Sequence, residues 1–202
     1  DFIFRVRELE QMEMQYFTHP DDEMKQYEAL RKNRLGFFIS LGIKKDNLKW
    51  RKHEHLVFYA KEAYDMEYKF PWGFDELEGV HARGDYDLTQ HSKYSGVDLT
   101  YTDQESNERY MPHIIESSVG VGRIVLALLL DSYVEEKTEN GIRTVLKIDK
   151  NLAPIKVAVF PLLSNKQELV SKSRGIYEKL RQEFFCEYDG SGNIGKRYRR
   201  QD

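Results

Sequence analysis

The residues best suited to chemistry occur in three short stretches, and the first of them lies within residues 2–13. Apolar and charged side chains alternate there, which predicts a β-strand with one apolar face and one charged face. Arginine offers phosphate a planar fork of donors, and Glu13 on the same face suits a cation or an ammonium group. A nucleotide or zwitterion site is one interpretation, and a solvated face with cross-strand ion pairs is the other. The charged face holds Arg5, Arg7, Gln11 and Glu13, and the apolar face holds Phe2, Phe4, Val6 and Met12.

The second stretch contains two carboxylates, Glu76 and Glu78, within an extended segment predicted over residues 74–83. Residues two apart in a strand project from the same face, so we expect the two carboxylates to lie together. Paired carboxylates suit a magnesium ion that also contacts phosphate oxygens. Acidic pairs are also common on solvated surfaces, which is the alternative interpretation.

The third stretch is ESSVGVGR, residues 116–123, which follows a short predicted strand and precedes an apolar helix. Its glycines allow a ligand to approach the backbone, and a helix N-terminus attracts anions. Arg123 falls in the first turn of the predicted buried helix, where a guanidinium needs an anionic partner. A protein carboxylate or a nucleotide phosphate would serve, and the sequence leaves both open.

Other candidate patterns are weaker. His53 and His55 lack the i, i+4 spacing of a zinc-binding helix, and the six histidines form no recognisable metal motif. No serine or cysteine stands in a nucleophile signature. A basic run near residue 200 suits either a phosphate backbone with a stacked base or a solvated end. This run consists of Lys196, Arg197, Tyr198, Arg199 and Arg200.

The elements that must position these residues favour an α+β class. Extended segments separated by short breaks favour an antiparallel sheet flanked by helices. After Leu152 a short apolar strand and an amphipathic helix predict the beginning of an α/β domain, so we place a domain boundary there. Strands are predicted over 2–13, 64–70, 74–83 and 110–116, and helices over 24–30, 48–61 and 124–130.

Composition limits the class of protein. The chain has 202 residues, 40% of them hydrophobic and 32% charged, with a formal net charge of −3. These values fit a globular protein, and any contact with nucleic acid must come from a local patch. The longest apolar run, residues 124–130, is far shorter than the roughly 20 residues of a membrane span. A lone cysteine, Cys186, favours a reducing compartment, and we expect a cytoplasmic location.

Together the three stretches resemble the sequence motifs of class II aminoacyl-tRNA synthetases. The second half of motif 2 is similar to FRVRELEQMEMQYF, and motif 3 is similar to MPHIIESSVGVGRIVLALLLDSY. A segment distinctive of the homodimeric glycyl-tRNA synthetase family resembles FPWGFDELEGVHARGDYDLTQHSKYSG. The resemblance covers essentially the whole chain. It implies that residues 1–152 are the C-terminal portion of a catalytic core and that 153–202 begin an anticodon-binding domain.

The resemblance implies ATP-dependent activation of glycine, transfer of the glycyl group to tRNA(Gly), and Mg2+ as cofactor. Positioning of the substrates and electrostatic stabilisation would account for the rate enhancement. The implied catalytic residues are Arg5, Glu76 and Arg123, with Glu76 beside a metal-bridged phosphate. The implied glycine-binding residues are Leu9, Glu10, Gln11, Met12, Glu13, Glu116, Ser117, Ser118, Val119 and Gly120. The implied ATP-binding residues are Phe4, Arg5, Val6, Arg7, Glu8, Leu9, Glu76, Leu77, Gly120, Val121, Gly122 and Arg123. For the basic run at 196–200 we expect tRNA contact.

The resemblance begins inside motif 2, so we expect the first arginine of that motif and the dimer-forming motif 1 to precede Asp1. Ser117 stands where the family often has proline. Two other functions remain open: a synthetase-like subunit that binds nucleic acid without catalysis, and a class II enzyme for another small amino acid. Glu13, Glu76, Glu116 and Arg123 are all present, which favours the enzyme.

Overall fold

A computed structural model describes residues 3–56, 60–139 and 141–202. Contacts divide the chain into two units, Asp1–Asp131 and Ser132–Asp202. The first unit is built on a five-stranded antiparallel sheet with the strand order β1-β7-β4-β3-β2. Its main elements are β1 (Gln11–Thr18), α1 (Glu23–Ser40), β2 (Leu48–Lys52), β3 (Glu62–Phe70), β4 (Gly73–Gly84), α2 (Tyr86–Ser95), β5 (Tyr101–Thr102), β6 (Arg109–Tyr110), β7 (His113–Gly120) and α3 (Val121–Ser132).

The two faces of this sheet differ in polarity. On the packed face, α1 contacts β4 and β7, and apolar side chains of α3 join the same core. The Tyr27 hydroxyl of α1 donates to the carbonyl of Val80 at 3.1 Å, which ties the helix to β4. The opposite face, here called the open face, carries polar and charged side chains from all five strands. They include Gln11 and Glu13 of β1, Glu116 and Ser118 of β7, His81 of β4, Asp65 of β3 and Arg51 of β2. Core residues of the packed face include Phe38, Met66, Tyr68, Val80, Ala82, Ile115 and Val119.

The α+β class and the antiparallel sheet flanked by helices are confirmed, and several element boundaries are corrected. The strand expected over 2–13 begins only at Gln11, because β1 pairs with β7 from Gln11 opposite Gly120 to Thr18 opposite His113. Residues 3–10 form turns instead, and Phe2 lies outside the described residues. The helix expected over 48–61 is wrong, since Leu48–Lys52 is strand β2.

The helices differ from the expectation in two further respects. Helix α2 is not among the predicted helices, and Gly96 caps its end in the left-handed conformation with φ 72°. The apolar run 124–130 is helical as predicted, but it is not buried all round. Val125 is 43% exposed and Leu129 is 37% exposed, so one side of α3 faces away from the core.

The second unit contains a hairpin and a short βαβ arrangement. Strand β10 pairs in parallel with β11, as the α/β pattern after Leu152 predicted. The unit begins before Leu152 because the hairpin contacts the end of the chain: Leu146 N–H donates to the carbonyl of Asp202 at 2.7 Å. Its elements are β8 (Tyr133–Thr138), β9 (Gly141–Leu146), β10 (Val157–Val159), α4 (Gln167–Leu180), β11 (Cys186–Tyr188) and α5 (Ile194–Arg200). Among the described residues, no helix is long and apolar enough to cross a membrane.

Candidate active site

A cleft of about 550 Å³ opens in the first unit where the turns before β1 meet the junction of β7 and α3. Most of the residues implied for ATP lie around it, together with five implied for the amino acid, two of which are implied for both ligands. Gly122 allows a close approach here, because a Cβ at this position would lie 3.0 Å from the carbonyl oxygen of Ile3 and would push that turn back by a few tenths of an ångström. The lining consists of Ile3, Phe4, Arg5, Val6, Glu8, Leu9, Glu10, Gln11, Glu76, Ser118, Gly120, Val121, Gly122 and Arg123.

Arg123 holds the walls of this cleft together. Its Nη1 donates to the carbonyl of Glu76 at 2.8 Å and lies 3.3 Å from the Glu76 carboxylate. Its Nε donates to the carbonyl of Phe4 at 3.3 Å, and the guanidinium stands 4.4 Å from the centre of the Phe4 ring. Two of the three guanidinium nitrogens therefore have protein partners, and the side chain borders the cleft at the first turn of α3.

The cleft also has suitable donors for a magnesium ion carried by a nucleotide. Glu76, whose side chain is 47% exposed, lines the cleft together with Glu8 and Glu10. Mg2+ keeps most of its water and commonly takes one or two carboxylates plus phosphate oxygens. A half-exposed carboxylate beside two arginines, Arg5 and Arg123, fits that mode of binding better than an all-protein cage.

Next to the cleft, β1 and β7 bring the implied amino-acid residues together on the open face. Glu13 is paired with Ser118 in the strand register. Gln11 Nε2 donates to the Glu13 carboxylate at 3.0 Å and also to the Ser118 hydroxyl. Further along the same face of β1, Gln15 Nε2 donates to Glu116 at 3.4 Å. Two carboxylates, Glu13 and Glu116, thus border the same patch.

Glu116 is buried and ionised through two partners on β4. Arg83 Nη1 donates to its Oε2 at 2.7 Å, and His81 Nδ1 lies 3.6 Å from its Oε1. The polar contact with His81, followed by the charge of Arg83, holds the pKa of the Glu116 carboxyl below its usual value despite burial. Neither His81 nor Arg83 is among the residues predicted for the site. Their signal was the period of two on β4, which places His81 and Arg83 on the open face with Gly79.

The expectation that Glu76 and Glu78 share a face is wrong. The register of β3 and β4 shifts between Met66 and Glu67, so Glu67 is opposite Glu76 while Met66 is opposite Glu78. This bulge sends Glu78 to the packed face, where Arg34 Nε donates to it at 2.6 Å. Glu78 therefore does not line the cleft, and of the two carboxylates only Glu76 is available there for a metal-bound phosphate.

Strand alternation also removes four implied contacts at the side-chain level. Leu77 and Val119 belong to the apolar core. Ser117 donates its hydroxyl to Glu78 on the packed face, and Met12 is opposite Val119 in the strand register. By strand alternation, the side chains of Met12, Ser117 and Val119 project from the face opposite Gln11 and Glu13. In contrast, residues 5–10, including Arg7, are exposed along the turns that border the cleft.

The basic run at 196–200 is only partly available to a ligand. Arg197 is 1% exposed and donates to the carbonyls of Pro161, Ser191 and Gly192 in its own unit, so the expectation of tRNA contact fails for its side chain. Arg200 is paired with Asp189. Lys196, Tyr198 and Arg199 are exposed.

Comparison with known proteins completes the description of the site. A profile of the family described as "tRNA synthetase class II core domain (G, H, P, S and T)" matches residues 2–133. Curated relatives named "Glycine--tRNA ligase" are similar over the whole chain. The protein from Chlorobaculum tepidum is 46% identical over 203 residues, the one from Treponema denticola 48% over 210, and the one from Borrelia garinii subsp. bavariensis 50% over 208. The chain spans 43% to 46% of the length of these relatives.

Proposed function

This chain belongs to the family of class II tRNA synthetase core domains, and we propose that its open face activates glycine with ATP. The family match supports adenylation, and the relatives named glycine–tRNA ligase support glycine as the amino acid. The observation that carries the proposal is the adjacency of two sites. An arginine-bordered cleft lies directly beside a patch that presents Glu13 and Glu116.

In the proposed reaction, a carboxylate oxygen of glycine attacks the α-phosphorus of ATP and pyrophosphate leaves. Arg5 and Arg123 border the cleft and would stabilise the charge that develops on the phosphate oxygens. A magnesium ion, held by Glu76 and phosphate oxygens, would neutralise charge on the triphosphate when bound. A hydroxyl of the terminal ribose of tRNA then attacks the glycyl carbonyl carbon, and AMP leaves.

Glycine offers an ammonium group but no side chain to bind. Glu13 and Glu116 suit the ammonium, since both are carboxylates on one face, and His81 and Arg83 lower the pKa of Glu116. Larger amino acids must be excluded by side chains that already occupy the patch. Gln11, which is hydrogen-bonded to both Glu13 and Ser118, is the side chain best placed to do so.

The chain spans less than half the length of its curated relatives. We therefore propose, rather than observe, the activity and assembly of the complete protein. We propose tRNA(Gly) as the acceptor, a homodimer as the active assembly and the cytoplasm as the location. We further propose residues 1–152 as the C-terminal part of the catalytic core and residues 153–202 as the start of an anticodon-binding domain. Exposed Lys196, Tyr198 and Arg199 are the residues of the basic run that support a tRNA contact.

Amino-acid-dependent ATP–pyrophosphate exchange tests the proposal. It is measured on this chain and on a version completed with the flanking segments of the Treponema denticola relative, with each amino acid supplied separately. We expect exchange with glycine alone in the completed protein. Exchange with another amino acid would agree with a class II synthetase but would contradict the proposed specificity for glycine. A folded protein that binds ATP without any exchange would indicate a subunit without catalysis.

A further inference from the structure

We propose that His53, Asp65 and His81 form a binding site for a divalent transition metal of the Zn2+ type on the open face, apart from the nucleotide cleft. One donor atom from each side chain lies within 4.8 Å of the other two. The two histidines also line a cavity of about 170 Å³ that the nucleotide cleft does not share. Imidazole nitrogens with one carboxylate are a donor set that zinc, cobalt and nickel favour.

The sheet register creates this cluster. The N–H of His53, just beyond β2, donates to the carbonyl of Ala63, and Ala63 is opposite His81. The two imidazoles therefore stand on either side of a residue with only a methyl group, with ring centres 5.8 Å apart. Asp65 lies two residues along β3, on the same face as Ala63. Strands β3 and β4 and the residue just beyond β2 thus bring three ligand-type side chains close together.

His53 shows the clearest sign of an unused ligand atom. Its Nε2 is buried, and it has no hydrogen-bond partner among the residues that the structure describes. The carboxylate of Asp65 is only 2.8 Å away, but lies off the direction that a hydrogen bond from this nitrogen requires. Two ligands of one metal ion are close together without being hydrogen-bonded to each other, because each directs its donor atom at the metal. Donor atoms around tetrahedral zinc stand roughly 3.3 Å apart, so small side-chain rotations would close the site.

The orientation of His81 also fits a metal ligand. Its Nδ1 faces the Glu116 carboxylate, with 3.6 Å between Nδ1 and Oε1. The other nitrogen, Nε2, is directed toward Gly79, where the Cβ of any larger residue would lie 3.1 Å from it and 3.7 Å from Asp65 Oδ1. Metal-bound histidines commonly donate their second nitrogen to a carboxylate, as His81 would to Glu116. Gly79 leaves free the space in which the ion would sit.

The charges around the cluster allow a cation. Arg51 contacts Asp65, but through Oδ2, which leaves Oδ1 for a metal. Its guanidinium also pairs with Glu67 at 2.6 Å, so its charge is shared between two carboxylates. The cavity beside the histidines is lined by Leu56, Ala60 and Ala63 together with His55 and Arg83, and it gives water access to a fourth coordination position.

Metal titration of the whole chain, stripped with a chelator and then dialysed, tests the site. Isothermal titration with Zn2+ and visible absorption with Co2+ are measured on the parent and on four variants. We expect one ion per chain, with cobalt bands typical of tetrahedral nitrogen and oxygen ligation. His53→Ala and His81→Ala are each expected to weaken Zn2+ binding by about 30-fold or more, as losing one of three ligands should.

His55→Ala is the matched control, since His55 lines the same cavity but is not one of the three clustered residues. It should bind Zn2+ as the parent does. Circular dichroism and thermal unfolding of the metal-free proteins show whether each variant is folded, and Asp65→Asn provides a further loss of one ligand. Absence of stoichiometric binding in the parent, or equal losses in His55→Ala and His81→Ala, would overturn the proposal. Neither result depends on amino-acid activation.

Discussion

Glu116 and Glu78 lie on adjacent strands of one sheet, but they project from opposite faces and meet opposite surroundings. On the open face, His81 and Arg83 lower the pKa of the Glu116 carboxyl. On the packed face, burial raises the pKa of Glu78 although Ser117 and Arg34 both oppose that shift. One oxygen of Glu78 is buried with no hydrogen-bond partner among the described residues.

The difference between the two glutamates indicates that the open face of the sheet serves binding and the packed face serves stability. A carboxylate whose pKa is lowered by its neighbours at the edge of an open patch can bind an ammonium group. A carboxylate enclosed between a sheet and a helix is a structural element whose charge is costly. Four experiments test this contrast between the open and packed faces, from the largest expected effect to the smallest.

Ile115→Ala on the packed face should lower the free energy of unfolding by about 3 kcal/mol. Ile115 is fully buried beside Tyr27, Val80 and Ala82, and its truncation leaves a cavity there. Chemical denaturation measures the loss. Gln15→Ala, on the open face, is the control and should change stability by less than about 0.5 kcal/mol. Equal losses in the two variants would remove the distinction between the faces.

Glu116→Gln on the open face should reduce kcat/KM for glycine in pyrophosphate exchange by about 100-fold, or about 2.7 kcal/mol. Under the proposed function it removes a buried charge that holds the ammonium group. Glu78→Gln is the matched control because it makes the same change on the other face, and it should stay within about threefold of the parent. A larger loss in Glu78→Gln would contradict the assignment.

Glu13→Gln should raise KM for glycine by about 10-fold and leave KM for ATP within about twofold. Glu13 is exposed on the open face and is assigned to the amino acid rather than the nucleotide, so a charge-assisted hydrogen bond is lost there. Steady-state exchange with each substrate varied in turn measures both constants. Met12→Ala changes the neighbouring residue on the opposite face and serves as control. Equal increases in both KM values for Glu13→Gln would defeat its role.

The smallest effect is a pair of opposite pH dependences of stability. The lowered pKa of Glu116 stabilises the fold above about pH 4.5, and that contribution disappears as pH falls through the folded pKa. The raised pKa of Glu78 acts oppositely, because its contribution is present below about pH 4.5 and is lost as pH rises through the folded pKa. Relative to the parent, Glu116→Gln should lose stability and Glu78→Gln should gain it as pH rises from about 4 to 7. Denaturation at several pH values checks this, and slopes of the same sign would refute it.

Much of the open face could be predicted from the sequence, because a period of two is a local property. This alternation correctly separated Gln11 and Glu13 from Met12. The apolar run 124–130 separately located the helix after Gly122. The bulge between Glu76 and Glu78 could not be found this way, since the shift exists only in the pairing of β3 with β4. Likewise, Leu48–Lys52 becomes a strand because β3 offers it an edge. The His53–His81 cluster arises from the same long-range pairing, so spacing along the chain showed no sign of it.

The most direct test of the proposed site is a crystal structure of the completed protein with a non-hydrolysable glycyl-adenylate analogue. We predict that the phosphate mimic lies in the cleft beside Arg5 and Arg123. We also predict that the glycyl ammonium lies within hydrogen-bond distance of Glu13 or Glu116 on the open face. An analogue bound elsewhere, or one whose ammonium contacts neither carboxylate, would contradict the account.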